Sequence, residues 1–365
     1  MEYNVGNVDV VEGNTATKIT AMFKTELQNT FGHCGTLFQK SAATSQDFSL
    51  VIYETGLNHL VTLRIHSSGL ILLNIELPSL EFSYEKAKQL EIQLRKQLGC
   101  SHSKCICPVK RGGPLDSYRY LTTSDGRLLE YDVDKVVADV ESQFQRINIV
   151  HTPSFGNLLV LDDLQNLAES DLPYTEALMQ RGVLDYAGKE VLILGGGDGG
   201  LLHELLKENP KMVTMVEIDK TVMELCRTHL RTACGDALDS FTGPHHNIIL
   251  GDCLNELTRF AEEGAHFDFI FSDLTDMPLS SSPEPTHRQQ WELLKSVVLH
   301  SLSILQPDGR FLTHGSGTSS LSALAEFESF LSELKIPEVS FSRSQAFVPS
   351  FLEEWVFYQV WLKKV

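Results

Sequence analysis

The run Val191-Leu192-Ile193-Leu194-Gly195-Gly196-Gly197-Asp198-Gly199-Gly200 constrains this chain more than any other stretch. Four apolar residues lead straight into a glycine cluster, and Leu201-Leu202-His203-Glu204-Leu205-Leu206 then resumes at helical spacing. A buried strand, a tight turn and a helix in that order open a doubly wound α/β fold. Gly195, Gly197 and Gly200 satisfy G-x-G-x-x-G, a pattern common to many nucleotide-binding folds. Asp198 narrows the choice. A dinucleotide site needs bare backbone N–H groups there to cradle a pyrophosphate, whereas a carboxylate repels phosphate and attracts a cation. The loop therefore suits a nucleoside carrying positive charge, such as a sulfonium, or a site beside a polyamine. The competing reading makes Asp198 a cap for the helix beginning near Gly199.

Beyond the loop, strand and helix alternate. Residues 212–218 read as the second strand, with Glu217 and Asp219 at its end. Residues 248–250 are the third, followed by Asp252 and Cys253; residues 267–271 are the fourth, followed by Asp273 and Asp276. Residues 310–313 form the fifth, after a helix over 288–305 that Pro307-Asp308-Gly309 stops. Glu217 lies about 20 residues past the glycine loop, where an acidic residue takes a ribose diol. Residues 339–348 and 355–361 close the chain as two β runs without a connecting helix. That ending belongs to Rossmann-like folds of the methyltransferase type, whereas dehydrogenases continue with a helix-linked strand. Asp198, Glu217, Asp219, Asp252, Asp273 and Asp276 thus all fall at strand C-termini, the edge where open parallel sheets bind ligands. A single one is explained as a helix cap; six are not.

At 365 residues the chain holds two or three domains, and its 42% apolar content is that of a folded protein. The net charge of −18 argues against nucleic acid or an anionic membrane as partner and fits a cationic substrate. No basic stretch leads into an apolar run at the N-terminus, and no 18 consecutive residues are apolar, so a cytoplasmic protein is expected. Seven cysteines, an odd number, read as reduced thiols. Cys100, His102, Cys105 and Cys107 lack the C-x-x-C knuckle of zinc sites and read as a loop with exposed thiols, not a metal centre.

Three domains are expected. In residues 1–110, a frayed polar start (1–17) precedes a helix over 18–30, strands over 50–53, 60–65 and 70–75, and a helix over 83–98. This α+β unit has no catalytic constellation and is assigned to packing or self-association. In residues 111–168, strands over 128–133, 145–150 and 158–161 are expected to form one small antiparallel sheet, with Gln145 at a strand start. Residues 169–365 form the α/β domain.

The motifs Gly195-Gly196-Gly197-Asp198-Gly199-Gly200, Val216-Glu217-Ile218-Asp219, Gly251-Asp252-Cys253, Ser272-Asp273-Leu274-Thr275 and Val348-Pro349-Ser350-Phe351-Leu352-Glu353-Glu354-Trp355, with the flanking stretches 166–171 and 211–219, resemble the polyamine aminopropyltransferases. Within that family they look most like the spermine synthases of animals. The resemblance runs strongly from about residue 110 to the C-terminus. It is weaker before that, where the family has a domain similar to S-adenosylmethionine decarboxylase that serves dimerisation. It implies transfer of an aminopropyl group from decarboxylated S-adenosylmethionine to spermidine, with release of methylthioadenosine, by a homodimer that needs no cofactor beyond that cosubstrate. By the same likeness Glu217 would hold the ribose hydroxyls, and Gly195, Gly197 and Asp219 would belong to the same cosubstrate site. Asp252 and Cys253 would hold the adenine, and Gln145 would reach the nucleoside from the middle sheet. Tyr174, Asp198 and Glu353 would position amines, and Asp273 would take the proton from the attacking nitrogen. Two positions depart from the family. Phe351 stands where a polyamine-contacting tyrosine is expected, and Asp276 where a small apolar residue is expected. The resulting D-x-x-D pair is more typical of spermidine synthases, which use putrescine. An S-adenosylmethionine methyltransferase would share the fold and Glu217 but has no use for Asp198 or Glu353.

Overall fold

A computed structural model describes residues 1–4, 14–40, 48–56, 59–77, 83–100, 102–109, 113–274 and 285–363. The chain divides into two compact units, Met1–Arg111 and Gly112–Val365.

The first unit is an antiparallel sheet with two helices. Cys34–Lys40, Phe48–Thr55, His59–His66 and Leu70–Glu76 pair in succession, and Glu2–Asn4 lies between Leu70–Glu76 and His102–Lys104. Alternate residues Val51, Tyr53, Val61, Leu63, Ile65 and Ile71 turn to one face, as period-2 strands require, and pack with Phe23, Leu27, Leu90 and Leu94 of helices Asn14–Phe31 and Tyr84–Leu98. Ser83 caps the second helix at the Lys86 N–H, and Gly99 ends it in the left-handed region. The expected frayed start is corrected at residues 1–4. Tyr3 is fully buried, and the Met1 ammonium donates to the Leu73 carbonyl at 2.6 Å. Pairing on both sides holds a segment whose polar composition signals nothing of the kind. Cys105 is buried, Cys107 exposed, and burial raises the Cys100 and Cys105 thiols. Among the described residues no three His, Cys, Asp or Glu side chains are placed so as to hold a metal ion together.

The second unit begins with a two-stranded ribbon, Tyr120–Thr122 with Leu128–Glu130, and a four-stranded antiparallel sheet. The sheet consists of Lys135–Glu141, Arg146–Thr152, Gly156–Leu161 and Leu164–Ala168, paired in chain order. The expectation that residues 128–133 join this sheet is corrected. Lys135–Glu141 takes the edge beside Arg146–Thr152, which leaves Leu128–Glu130 to pair across the Ser124-Asp125-Gly126 turn.

The remainder forms a seven-stranded sheet, numbered here along the chain: β1 Glu190–Gly195, β2 Met212–Glu217, β3 His246–Leu250, β4 Phe267–Asp273, β5 Leu305–Gly317, β6 Val339–Val348 and β7 Glu353–Leu362. The order is β3-β2-β1-β4-β5-β7-β6, with only β7 running against the rest. Residues 191–194 are all fully buried because both faces of β1 are covered. Ile193, Met215 and Phe271 face one core, and Leu192, Leu194, Val216 and Ile270 the other. The strand order reverses between β1 and β4, so a crevice opens beyond their carboxyl ends.

At that crevice Gly195 of β1 lies in register with Asp273 of β4, and the Gly196 N–H donates to the Asp273 carbonyl at 3.2 Å. Gly195 has φ +82°, and a Cβ there would stand 2.3 Å from the Asp273 carbonyl oxygen. Only glycine permits both the conformation and the approach. Gly195→Ala should therefore lower stability by roughly 2–4 kcal/mol, from positive-φ strain plus forced separation of the strands. Urea unfolding measures this, and a loss under about 0.5 kcal/mol would show that the loop can absorb a side chain.

Candidate active site

Three carboxylates converge at the β1–β2–β4 ends. Asp198 follows β1, and its Oδ1 accepts the Gly200 N–H at 2.7 Å at the start of helix Gly200–Leu206. One oxygen therefore serves the helix start, as the capping reading expected. Glu217 ends β2, is 8% exposed, and accepts the Asp219 N–H at 2.7 Å through Oε1. Its other oxygen comes so close to the loop that a Cβ on Gly197 would meet Glu217 Oε2 at 2.7 Å. Asp273 ends β4, where its Oδ1 accepts the Tyr174 hydroxyl at 2.8 Å. Burial, and then the charge of Asp273, raises Asp198 well above the usual carboxylate range; burial likewise raises Asp273, against the pull of the Tyr174 hydrogen bond. Burial pushes Glu217 up to about 7, and the Asp219 and Asp198 charges add to it. Among the described residues, no lysine or arginine is a main influence on any of these three groups.

Just past the end of β2 lies a cavity of about 600 Å³, lined among others by Ser142, Phe144, Ile218, Asp219, Lys220 and Leu250. Phe144, Ile218 and Leu250 are each more than a third exposed, so apolar surface rims a polar floor. Asp219 is 1% exposed and divides its two oxygens. Oδ1 caps helix Lys220–His229 at the Thr221 N–H (2.9 Å), and Oδ2 accepts the Ser142 hydroxyl (2.6 Å) and the Gln145 amide (3.2 Å). Gln145 is thereby drawn from the antiparallel sheet to the β2 end. Asp252 is exposed and caps helix Cys253–Glu262 through the Leu254 and Asn255 N–H groups. The Cys253 thiol beside it is pushed up to about 11, by burial and then by the Asp252 charge, so it stays neutral near pH 7.

The other flank is aromatic. Tyr174, on helix Leu172–Met179, packs against Phe357 (5.3 Å between ring centroids), Phe351 (6.1 Å) and His314 (6.1 Å). Phe351 is 3% exposed and lies 4.7 Å from Trp355. Glu353, 7% exposed, accepts the Ser124 N–H through Oε1 (3.0 Å) and the Ser124 hydroxyl through Oε2 (2.9 Å), with Arg127 at 3.9 Å. Asp276 lies outside the described residues.

Sequence reading missed Ser142, which shares Asp219 with Gln145, and Ser124, which lies 229 residues from the carboxylate it binds. It also assigned no role to Asp171. This residue is 1% exposed and accepts the Ala168 N–H, the Ser350 N–H and the Ser350 hydroxyl, while Tyr131 donates to the Ser350 carbonyl at 2.6 Å. The carboxylate thus pins the loop carrying Phe351 to the start of the helix carrying Tyr174. A buried acidic residue just ahead of Leu172-Pro173 was the available signal.

Two known protein families match within the second unit. Residues 171–365 match the Spermine/spermidine synthase domain, and residues 118–169 match the Spermidine synthase tetramerisation domain. A polyamine aminopropyltransferase of Aeropyrum pernix is 33% identical over 239 residues, spanning 64% of this chain and 71% of that protein. The spermidine synthase of Dictyostelium discoideum is 32% identical over 176 residues, spanning 47% of this chain and 59% of that protein. The crystal structure of spermidine synthase from Thermotoga maritima is similar in fold, with a TM-score of 0.53 at 22% identity over 68% of this chain and 79% of that one. A domain match across more than half the chain coincides with the sheet whose edge carries Asp198, Glu217 and Asp273, and the chain therefore belongs to the spermine/spermidine synthase family of polyamine aminopropyltransferases.

Proposed function

We propose that the chain is a spermine synthase, transferring the aminopropyl group of decarboxylated S-adenosylmethionine to spermidine and releasing 5′-methylthioadenosine. The observation that carries this reading is the recessed pair Asp198 and Asp273, held by the Gly200 N–H and the Tyr174 hydroxyl, with no lysine or arginine of the described residues among the main influences on them. A sulfonium donor and an amine acceptor supply the missing positive charge. The acceptor nitrogen attacks the carbon next to sulfur, the C–S bond breaks with its electrons on sulfur, and the leaving group departs as a neutral thioether. No Lewis acid is needed for that departure, so the reading includes no cofactor.

An alkyl amine titrates near 10 and neighbouring carboxylates raise that value, so a base must take its proton as it attacks. Asp273 has that role. Tyr174 occupies Oδ1 and orients the carboxylate, which leaves Oδ2 for the amine. Asp198 steers the amine into line with the C–S bond. The ribose falls to Glu217, with Asp219 holding Gln145 toward it, and the adenine to the apolar rim beside Asp252 and Cys253. Glu353, at the far end of the aromatic flank, takes the distal amine of spermidine. A carboxylate accepts about four hydrogen bonds, and Ser124 uses two. Phe351 in place of a tyrosine forgoes one hydroxyl contact, worth about 0.5–1.5 kcal/mol, too little to reverse the choice of acceptor. The reading also includes a cytoplasmic homodimer joined through residues 1–110, a unit resembling S-adenosylmethionine decarboxylase. Among the described residues no helix is long and apolar enough to cross a membrane.

The direct test is incubation with decarboxylated donor plus either putrescine or spermidine, followed by product separation. Spermine should form with the higher kcat/KM; putrescine turned over more efficiently would make the protein a spermidine synthase. Asp273→Asn keeps the shape and removes the proton acceptor, so turnover should fall at least about a hundredfold. Methylthioadenosine affinity should change little, and near-normal turnover would move the base to another carboxylate. Glu217 gives a prediction on pH. Its folded pKa, about 7, lies above its ordinary value, so the folded state keeps a proton that the unfolded chain has released. Its contribution to stability is therefore lost as pH rises from about 4 to 7. Glu217→Gln should make the ligand-free protein at least ~1 kcal/mol more stable at pH 8, with the gain vanishing near pH 4. The same variant should weaken methylthioadenosine binding about tenfold or more, and calorimetry beside thermal unfolding reads both effects.

A further inference from the structure

Strand β7 presents Glu353, Trp355 and Phe357 on one face, since side chains alternate along a strand. Phe357 touches Tyr174, whose hydroxyl holds Asp273, and Glu353 is fixed by Ser124. The four steps from residue 353 to residue 357 span ~13 Å, so two carboxylates sit at the ends of an aromatic track with Trp355 between them. The Trp355 ring lies 4.7 Å from Phe351 and 5.8 Å from His314, and both of those rings lie 6.1 Å from Tyr174. Its indole Nε1 is buried and has no hydrogen-bond partner among the described residues. Neither His314 nor Glu353 takes this donor: the His314 ring nitrogens face the Leu274 and Gly315 carbonyls, and each Glu353 oxygen accepts from Ser124. A buried N–H left in this way costs as much as a lost hydrogen bond, and a water or ligand acceptor placed there would recover it.

We propose that Trp355 is a specificity-determining residue that selects a triamine over a diamine, its indole N–H holding, through one water, the middle nitrogen of an acceptor stretched between Asp273 and Glu353. The water is required by the chemistry. The indole N–H and a secondary ammonium are both donors, and a water between them accepts from each. The flanking rings take the methylene arms and face the ammonium charge. A diamine has no nitrogen at this height of the track and leaves the indole N–H unanswered. This inference rests on the triamine reading of the site above.

The test compares kcat/KM for spermidine, putrescine and 1,8-diaminooctane, which matches the triamine in length and carries methylene in place of the middle nitrogen. In the wild type, spermidine should exceed 1,8-diaminooctane by roughly tenfold, the effect of one hydrogen bond to a charged group. In Trp355→Phe, which keeps an aromatic ring, that ratio should collapse toward one through a raised KM for spermidine, with putrescine and methylthioadenosine binding unchanged. A wild type that uses the two long acceptors equally, or a variant that keeps the wild-type ratio or loses all acceptors alike, overturns the inference while leaving spermine synthesis standing. A wild type that prefers putrescine overturns the triamine reading and this inference with it. The wild-type comparison needs no substitution, so a variant that fails to fold leaves it decisive.

Discussion

Asp198 and Asp273 repel one another across the ends of β1 and β4, and the rest of the second unit is arranged around that repulsion. Carboxylates recessed in protein without a cation are costly, and only a well-packed scaffold holds them there. The fully buried Val191, Leu192, Ile193 and Leu194 on one strand and Ile270 and Phe271 on the next provide it, with a core on each face of the sheet. Gly195 lets the two strand ends touch, while the Gly200 N–H and the Tyr174 hydroxyl each answer one carboxylate oxygen. What remains unanswered is positive charge, which a cationic substrate brings.

Both flanks of the crevice are set by residues far from it in the chain. On the nucleoside side Asp219 joins a helix cap to Ser142 and Gln145, so one buried carboxylate fixes the antiparallel sheet against the end of β2. On the acceptor side Asp171 joins the Tyr174 helix to the Ser350 loop, and Ser124 joins the two-stranded ribbon to Glu353. These contacts are short-range and directional, so each fixes an orientation that burial alone would leave loose. Asp219 and Asp252 also show that an acidic residue at a strand end can cap the next helix; Asp198 gives one oxygen to the same kind of duty, and Glu217 and Asp273 give none.

The amino-acid sequence by itself determined the parallel strands, their order of appearance, the glycine loop and the acidic strand ends. Those features rest on local physics: a strand covered on both faces must be continuously apolar, and a loop with positive φ must be glycine. The closing β6–β7 pair was legible for the same reason, as two long β runs with no helix between them. Glu2–Asn4 and Lys135–Glu141 were not legible, because short or charge-studded strands owe their state to the neighbours they pair with. Only the tertiary structure decided which groups share a site. Ser124 reaches Glu353 across 229 residues, Ser142 reaches Asp219 across 77, and the Trp355 indole N–H is buried with no hydrogen-bond partner among the described residues. Hydrogen bonds of this kind depend on distances of about 3 Å and on direction, and a one-dimensional pattern carries neither.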